Sequence, residues 1–394
     1  MEEHTKREKK YVCAEDWIVL RGARFYNPTT GAVNFTELPD TEPREKFTVG
    51  GPAVITRRVM LADSAKNLGD AIKRVTGKAH PFIEGVEKPD LMAQENQRKF
   101  VEAKGDVLAA LRVRFAAHCK DWRGVVQEAL EHASDPHEKR LLRMATLEYL
   151  KESGIIHKRM WSTKVQYKSK KREWAKMWKR LRAIGDMSVA ASLETFRSAK
   201  FLKNAMAKES FVYKGIEIQF CAKPSRVGLR EHMARLANPP RKGYFVYFSD
   251  DSCYSRRCSD GKVRMWNIDI SSCDASHKPA LFSAAEKLVP GNMADAALRA
   301  RHQCYLPIEV INPQNRMERI LLQPTRPRLY SGHGWTTYYN NVANLLIALS
   351  LADAGAEDEQ QIRRAAFDGP GYRVTCETAD PLDPRQIQFL KCSP

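Results

Sequence analysis

The stretch from Gly243 to Ile270 constrains the fold of this chain more than any other. Gly243-Tyr244-Phe245-Val246-Tyr247-Phe248 is short and rich in β-prone residues. Ser249, Asp250 and Asp251 follow at once, then Ser252-Cys253-Tyr254-Ser255. A Ser259-Asp260-Gly261 turn leads into Lys262-Val263-Arg264-Met265-Trp266-Asn267-Ile268-Asp269-Ile270. An Asp-Gly pair between two β-like runs predicts a hairpin, because Gly accepts the positive φ of a tight turn. The stretch therefore reads as strands with acidic residues at their ends.

Other segments fill in the class. Apolar residues at helical spacing in Val107–Val113 and Leu141–Leu147 predict a helical scaffold over 91–152. Residues 308–323 read as a second hairpin turning at Asn312-Pro313-Gln314-Asn315, and a helix is predicted from about Thr336 to about Ala352. Residues 1–90 carry turn signals at Asn27-Pro28, Thr30-Gly31 and Gly50-Gly51-Pro52, which suggest short strands and loops. At 394 residues and 43% apolar, the chain can bury the cores of two or three domains. The expected class is α/β in the α+β sense.

The net charge of +18 points to a polyanionic partner, nucleic acid ahead of an anionic membrane surface. Residues 151–182 hold twelve Lys or Arg against two Glu, with Trp161, Tyr167, Trp174 and Trp178 interleaved. Such a block can be a solvated face, and it equally suits phosphate contacts with base stacking. The nine cysteines are scattered, and the closest pair, Cys253 and Cys258, has no second pair to complete a zinc site. They read as reduced thiols of a cytosolic protein. No apolar run reaches the ~18 residues of a transmembrane helix. The charged start, Met1 to Lys10, lacks the apolar core of a secretory signal.

Three clusters carry chemistry. Ser331-Gly332-His333-Gly334-Trp335-Thr336-Thr337-Tyr338-Tyr339-Asn340 is a Gly-containing loop feeding a helix. Thr336 and Asn340 share one helix face, where polar side chains can meet a ligand; the plain alternative is a capped helix. Asp269, at the end of a β-run, is placed to hold Mg²⁺ with few protein ligands and room for phosphates. Asp274, five residues on, either joins it or caps the next helix. Asp250 and Asp251 repel each other at a tight turn unless a cation compensates; alone, the pair would be a solvated turn. Together, two strand-end carboxylate sites beside a basic, aromatic region suit two-metal phosphoryl chemistry, with metals ~3.5–4 Å apart.

This set resembles the palm of viral RNA-dependent RNA polymerases. Asp269-x4-Asp274 looks like motif A, Ser331 to Asn340 like motif B, and Ser249-Asp250-Asp251 like motif C. Motif C follows motif B in most families; here it comes first. The C-A-B order resembles permutotetravirus polymerases and, more distantly, those of birnaviruses. Lys179-Arg180-Leu181-Arg182-Ala183-Ile184-Gly185-Asp186 looks like motif F, Gly371-Tyr372-Arg373-Val374 like motif D, and Phe389-Leu390-Lys391 like the start of motif E. Motif D often supplies a Lys as proton donor to pyrophosphate; Arg373 holds its proton too tightly for that task. A second ordering, with motif C beyond Pro394, is disfavoured. After Asn340 no strand-turn-strand with acids occurs, and Glu357-Asp358-Glu359 sits in a polar, helical stretch.

The resemblance implies a right-hand architecture: an antiparallel palm sheet, largely helical fingers, and a thumb largely missing, because the chain is a fragment or the thumb is unusually reduced. It divides the chain into an N-terminal extension (1–90), fingers (91–242) and palm (243–394). It implies RNA-directed RNA polymerisation with Asp269, Asp250 and Asp251 holding Mg²⁺, or Mn²⁺ in its place. Asp274, Ser331, Gly332, Thr336 and Asn340 would form the ribose pocket, and Lys179 and Arg182 would neutralise the triphosphate. The implied partners are an RNA template, a primer or nascent RNA, ribonucleoside triphosphates and other viral replication proteins. The implied location is the host cytoplasm, in membrane-associated replication complexes or the virion. The rival readings are a non-catalytic RNA-binding or accessory protein, which the basic block fits equally, and a reverse transcriptase or DNA polymerase. Asp274 and Asn340 argue against the latter, because such enzymes usually close the ribose pocket with a bulky side chain.

Overall fold

The computed structural model describes residues 16–21, 45–47, 58–61, 75, 87–120, 164–169, 172–174, 183–187, 189–221, 225–311, 319–383, 386 and 389. The fold is mixed α/β. The chain forms two compact units, each assembled from separated stretches of sequence: 1–82, 159–192 and 302–333 in the first, and 83–158, 193–301 and 334–394 in the second. These units do not map one-to-one onto the consecutive segments 1–90, 91–242 and 243–394.

In the first unit the strands are β1 (Trp17–Arg21), β2 (Glu45–Phe47), β3 (Arg58–Leu61), β4 (Val165–Ser169), β5 (Arg172–Trp174), β6 (Ala183–Asp186), β12 (Ile308–Ile311) and β13 (Arg319–Pro324). They make a five-stranded sheet in the order β1-β13-β12-β4-β6 and a three-stranded sheet β2-β3-β5. The antiparallel β12/β13 pair is the expected hairpin, and its turn lies outside the described residues. Val165, Ile308, Val310, Ile320, Leu322 and Tyr330 form the core of this unit.

The second unit is built on a six-stranded sheet. Its strands are β7 (Ser210–Tyr213), β8 (Ile216–Phe220), β9 (Gly243–Phe248), β10 (Asp251–Arg257), β11 (Val263–Ile270) and β14 (Val374–Ala379), in the order β14-β11-β10-β9-β8-β7. Its helices are α1 (Pro89–Ala103), α2 (Gly105–Ala116), α3 (Val189–Lys208), α4 (Arg226–Ala237), α5 (Cys273–Ser276), α6 (Pro279–Leu288), α7 (Ala294–Gln303), α8 (Thr336–Ala354) and α9 (Glu359–Asp368). The expected helices near 107–113 and 336–352 are α2 and α8; the expected stretch 141–147 lies outside the described residues.

Side chains alternate across the pleat. On one face Tyr244, Val246, Cys253, Met265 and Ala379 pack with Met233 and Leu236 of α4 and with Phe389. The alternate positions Phe245, Tyr247, Tyr254 and Trp266 are buried on the other face, where Tyr254 Oη donates to the carbonyl of Ala356, just past α8. Every residue of α8 from Tyr338 to Ala352 is buried. A helix covered all round must find internal partners for any polar residue it carries.

One expectation needs correction. The sheet is not wholly antiparallel: β8 and β9 run parallel, because α4 carries the chain back across the sheet between them. The 91–242 stretch, mostly helical among its described residues, also contributes the short strands β4 to β8. Ile216, Ile218 and Phe220 alternate with half-buried Glu217 and Gln219, a strand pattern that was legible.

Candidate active site

The site is built from the turn that joins β9 to β10. Phe248 pairs with Asp251, leaving Ser249 and Asp250 as a two-residue hairpin loop. Such a loop demands a positive φ, and Ser249 supplies it at 57°. A non-glycine residue there is uncommon and is held by its surroundings. The surroundings are three asparagines of α8. Asn341 Oδ1 accepts from Ser249 N at 2.7 Å, Asn344 Nδ2 donates to Ser249 O at 2.5 Å, and Asn340 Nδ2 donates to Ser249 Oγ at 3.3 Å. Side chains of the helix thus occupy both backbone groups of the turn residue, which fixes where the next two aspartates stand.

The turn and the end of β11 come together. Asp251 lies directly opposite Asp269 in the β10/β11 register, so the two project from the same face. Ile270 N donates to Asp250 O at 3.3 Å, which ties the tip of the turn to the residue after Asp269. Asp250 and Asp269 are exposed; Asp251 and Asp274 are half-buried. Cys273 is fully buried beside this cluster. Burial pushes its thiol well above the usual range, and the nearby negative charges of Asp274, Asp250 and Asp269 push it further. The Cys253 thiol is raised by burial and by Asp251. Asp250, Asp269 and Asp274 therefore all lie near Cys273, and Asp251 lies near Cys253.

Asp274 is linked to α8. Asn340 Nδ2 donates to Asp274 Oδ1 at 3.1 Å, although the two are far apart in sequence. Asp274 sits in the single turn α5, whose N-cap Ser272 has φ 51° and makes no side-chain cap. The Asp-Asn contact, not a cap, is what the structure shows for this carboxylate. Ser271 N donates to the carbonyl of Arg373 at 2.9 Å, and β14 then pairs with β11 so that Thr375 faces Asp269. Arg373 and β14 thus border the end of β11 through the backbone.

Ser331 and Gly332, which precede α8 in the chain, belong to the first unit. Gly185 N donates to Ser331 O at 2.7 Å. Gly332 has φ 111°, and a Cβ on it would run into Gly185 O. The Ser331-Gly332 loop is pressed onto β6, the strand that ends the basic segment 179–186. Lys179 and Arg182 lie outside the described residues, as do Leu390 and Lys391; Phe389 is buried in the core beneath the sheet. In the second unit, a Cβ on Gly334 would strike Thr195, and buried Trp335 donates from Nε1 to Ser198 Oγ at 2.9 Å. This anchors the start of α8, and Thr336 follows at its first position.

Two exposed carboxylates, one in the β9–β10 turn and one at the end of the adjacent β11, offer hard oxygen donors without a closed cage. That donor set suits Mg²⁺, which keeps waters and takes phosphate oxygens. Among the described residues, no group of three or more His, Cys, Asp and Glu forms a ready-made metal cage, and no helix is long and apolar enough to cross a membrane.

Sequence reading missed His277, Tyr372, Asn341, Asn344 and Gln97, all of which are buried and support the site. One signal was available. Asn340, Asn341 and Asn344 interrupt an otherwise apolar helix, and buried amides require partners.

No family profile matches the sequence, and no curated protein matches it. Among solved structures, the RNA polymerase VP1 from infectious pancreatic necrosis virus is similar over 76% of this chain and 35% of that one, with 14% identity and a TM-score of 0.40. The birnavirus VP1–VP3 complex is similar over 70% of this chain and 34% of that one, with 13% identity and a TM-score of 0.39. The chain spans about a third of the length of these structures.

Proposed function

We propose that the chain carries the catalytic centre of a viral RNA-directed RNA polymerase whose motif C precedes motifs A and B, as in the permutotetravirus and birnavirus order. One observation carries this reading. The Ser249-Asp250-Asp251 turn and Asp269 meet on neighbouring strands, and Asp274 is hydrogen-bonded to Asn340 beside them. The palm is then the six-stranded sheet.

Asp250 and Asp269 would hold Mg²⁺ or Mn²⁺, which when bound activates the 3′-hydroxyl and neutralises charge on the reacting phosphate. Asp251 assists from the same strand end. Asp274 can accept a hydrogen bond from a ribose hydroxyl, and the Asn340 amide can donate one to it. A deoxyribose would leave both without that partner, which a buried polar site penalises strongly. By the resemblance, Ser331, Gly332 and Thr336 would help receive the nucleotide, and Lys179 and Arg182 would offset the triphosphate charge. Arg373 contributes positive charge rather than a proton. The partners are template RNA, primer or nascent RNA, ribonucleoside triphosphates and further viral replication proteins, in the host cytoplasm.

The test is Mg²⁺-dependent ribonucleotide incorporation on a primed RNA template, together with RNA binding. Wild type should extend the primer, and Asp269→Asn should bind RNA but not extend it. Metal-independent RNA binding without extension, indifferent to Asp269→Asn, would instead identify a non-catalytic RNA-binding protein.

A further inference from the structure

Asn340 can serve the ribose pocket in only one of its two amide orientations. A side-chain amide turned by half a rotation would exchange its oxygen and nitrogen, and an oxygen facing the Asp274 carboxylate would repel it. The structure holds the productive orientation from behind. His277 Nε2 lies 2.8 Å from Asn340 Oδ1, and His277 Nδ1 lies 3.0 Å from Tyr372 Oη. Because Asn340 Oδ1 only accepts, Nε2 must carry the proton. In the neutral ring Nδ1 then accepts from the Tyr372 hydroxyl.

The network is anchored from α1. Gln97 on α1 donates from Nε2 to the carbonyl of Pro370 at 3.1 Å, two residues before Tyr372. The Gln97 carbonyl oxygen is already taken by the amides of Lys278 and Leu281. Gln97, His277, Asn340 and Tyr372 are all buried, and His277 is wedged edge-on against Phe282 and Tyr372. With the ring neutral, each bond has one direction: Tyr372 to His277, His277 to Asn340, Asn340 to Asp274.

We infer that His277 and Tyr372 are positioning residues for sugar selection: they set the His277 tautomer and, through it, lock the Asn340 amide with its NH₂ towards Asp274 and the 2′-hydroxyl. Neither residue touches the nucleotide. This rests on the polymerase reading above, because only there does the Asn340 orientation have a substrate to read.

Two measurements on the full chain test it. The first is the ratio of kcat/KM for ATP over dATP on a primed RNA template with Mg²⁺. His277→Phe, which removes the donor at similar bulk, should lower the ratio about tenfold or more, since it strands a buried acceptor. His277→Gln, which can still donate, should restore it to within about threefold of wild type. Tyr372→Phe should have an intermediate effect. Equal ratios in wild type and His277→Phe, or no rescue by Gln, would overturn the inference.

The second is the imidazole ¹⁵N spectrum of histidine-labelled protein, with His277 assigned from His277→Gln. A neutral Nε2–H tautomer is expected, shifted towards tautomer exchange in Tyr372→Phe. An Nδ1–H or doubly protonated ring would overturn the inference whatever the activity. The expected tautomer in a wild-type chain that extends no primer would leave the buried network standing and refute the polymerase reading, and with it the role in sugar selection.

Discussion

Asp250 and Asp269 face solvent at the end of the six-stranded sheet, whereas Asn340, His277 and Tyr372 beside them are buried. Both groups are polar, and they differ in what holds them. The exposed carboxylates are positioned by backbone register and by the tie from Ile270 to Asp250. They keep their charge at small cost because water remains in reach. The buried layer carries neutral groups joined by directed hydrogen bonds, since an unmet polar atom there costs about 1–3 kcal/mol. On the proposed polymerase reading the comparison implies a division of labour: reactivity would reside in groups that contribute little to stability, and specificity in groups that stability requires.

Substitutions can break this division. The largest effect should fall on the exposed side. Asp250→Asn and Asp269→Asn should each reduce templated incorporation by roughly three orders of magnitude or more, by removing a metal-holding charge. In thermal unfolding each should shift Tm by no more than about 2 °C, because exposed changes rarely exceed ~0.5 kcal/mol. A large loss of stability in either would place these aspartates in the structural layer.

Next in size is Gly371→Ala, on the buried side. Gly371 has φ 74°, and a Cβ there would run into the carbonyl of Ala93. The substitution should cost about 2 kcal/mol or more in denaturant unfolding. Asn341→Ala should follow at about 1–3 kcal/mol, because it strips the partner from Ser249 N. Its activity loss should track the displaced turn rather than any lost contact with substrate. The smallest effect is expected for Ser249→Gly. Relief of the 57° φ is worth about 1–2 kcal/mol. The added chain entropy of glycine, about 0.5–1 kcal/mol, and the loss of the Asn340 contact offset it. The denaturation midpoint should move by less than about 0.5 kcal/mol in free energy. A clear gain in stability would show that the asparagine grip is not what holds the turn.

The same two regions explain what the sequence disclosed. The exposed side was legible because its signals are local. The Asp260-Gly261 turn, the β-prone runs and the aspartates at their ends lie within one short stretch, and the β9-β10-β11 meander follows them. The long helix after Gly334 was legible from its apolar length. The buried layer was not, because its bonds join distant positions. His277 meets Asn340 and Tyr372, and Gln97 caps the amides of Lys278 and Leu281. No periodicity or spacing links such residues, and only the chain's path through space brings them together. The parallel β8/β9 pair was hidden for a related reason: the strands are local enough to suggest a hairpin, but α4 intervenes and reverses the sense of pairing.

The central claim is that Asp250, in the β9–β10 turn, and Asp269, on β11, act as one centre. A double-mutant cycle on Mg²⁺-dependent templated incorporation tests it most directly. If they act together, removing either abolishes the same function. The doubly substituted Asp250→Asn/Asp269→Asn chain should then be no slower, within a few-fold, than the slower single variant. Losses that multiply, or a wild-type rate in Asp250→Asn, would contradict the account and remove the Ser249-Asp250-Asp251 turn from the catalytic centre.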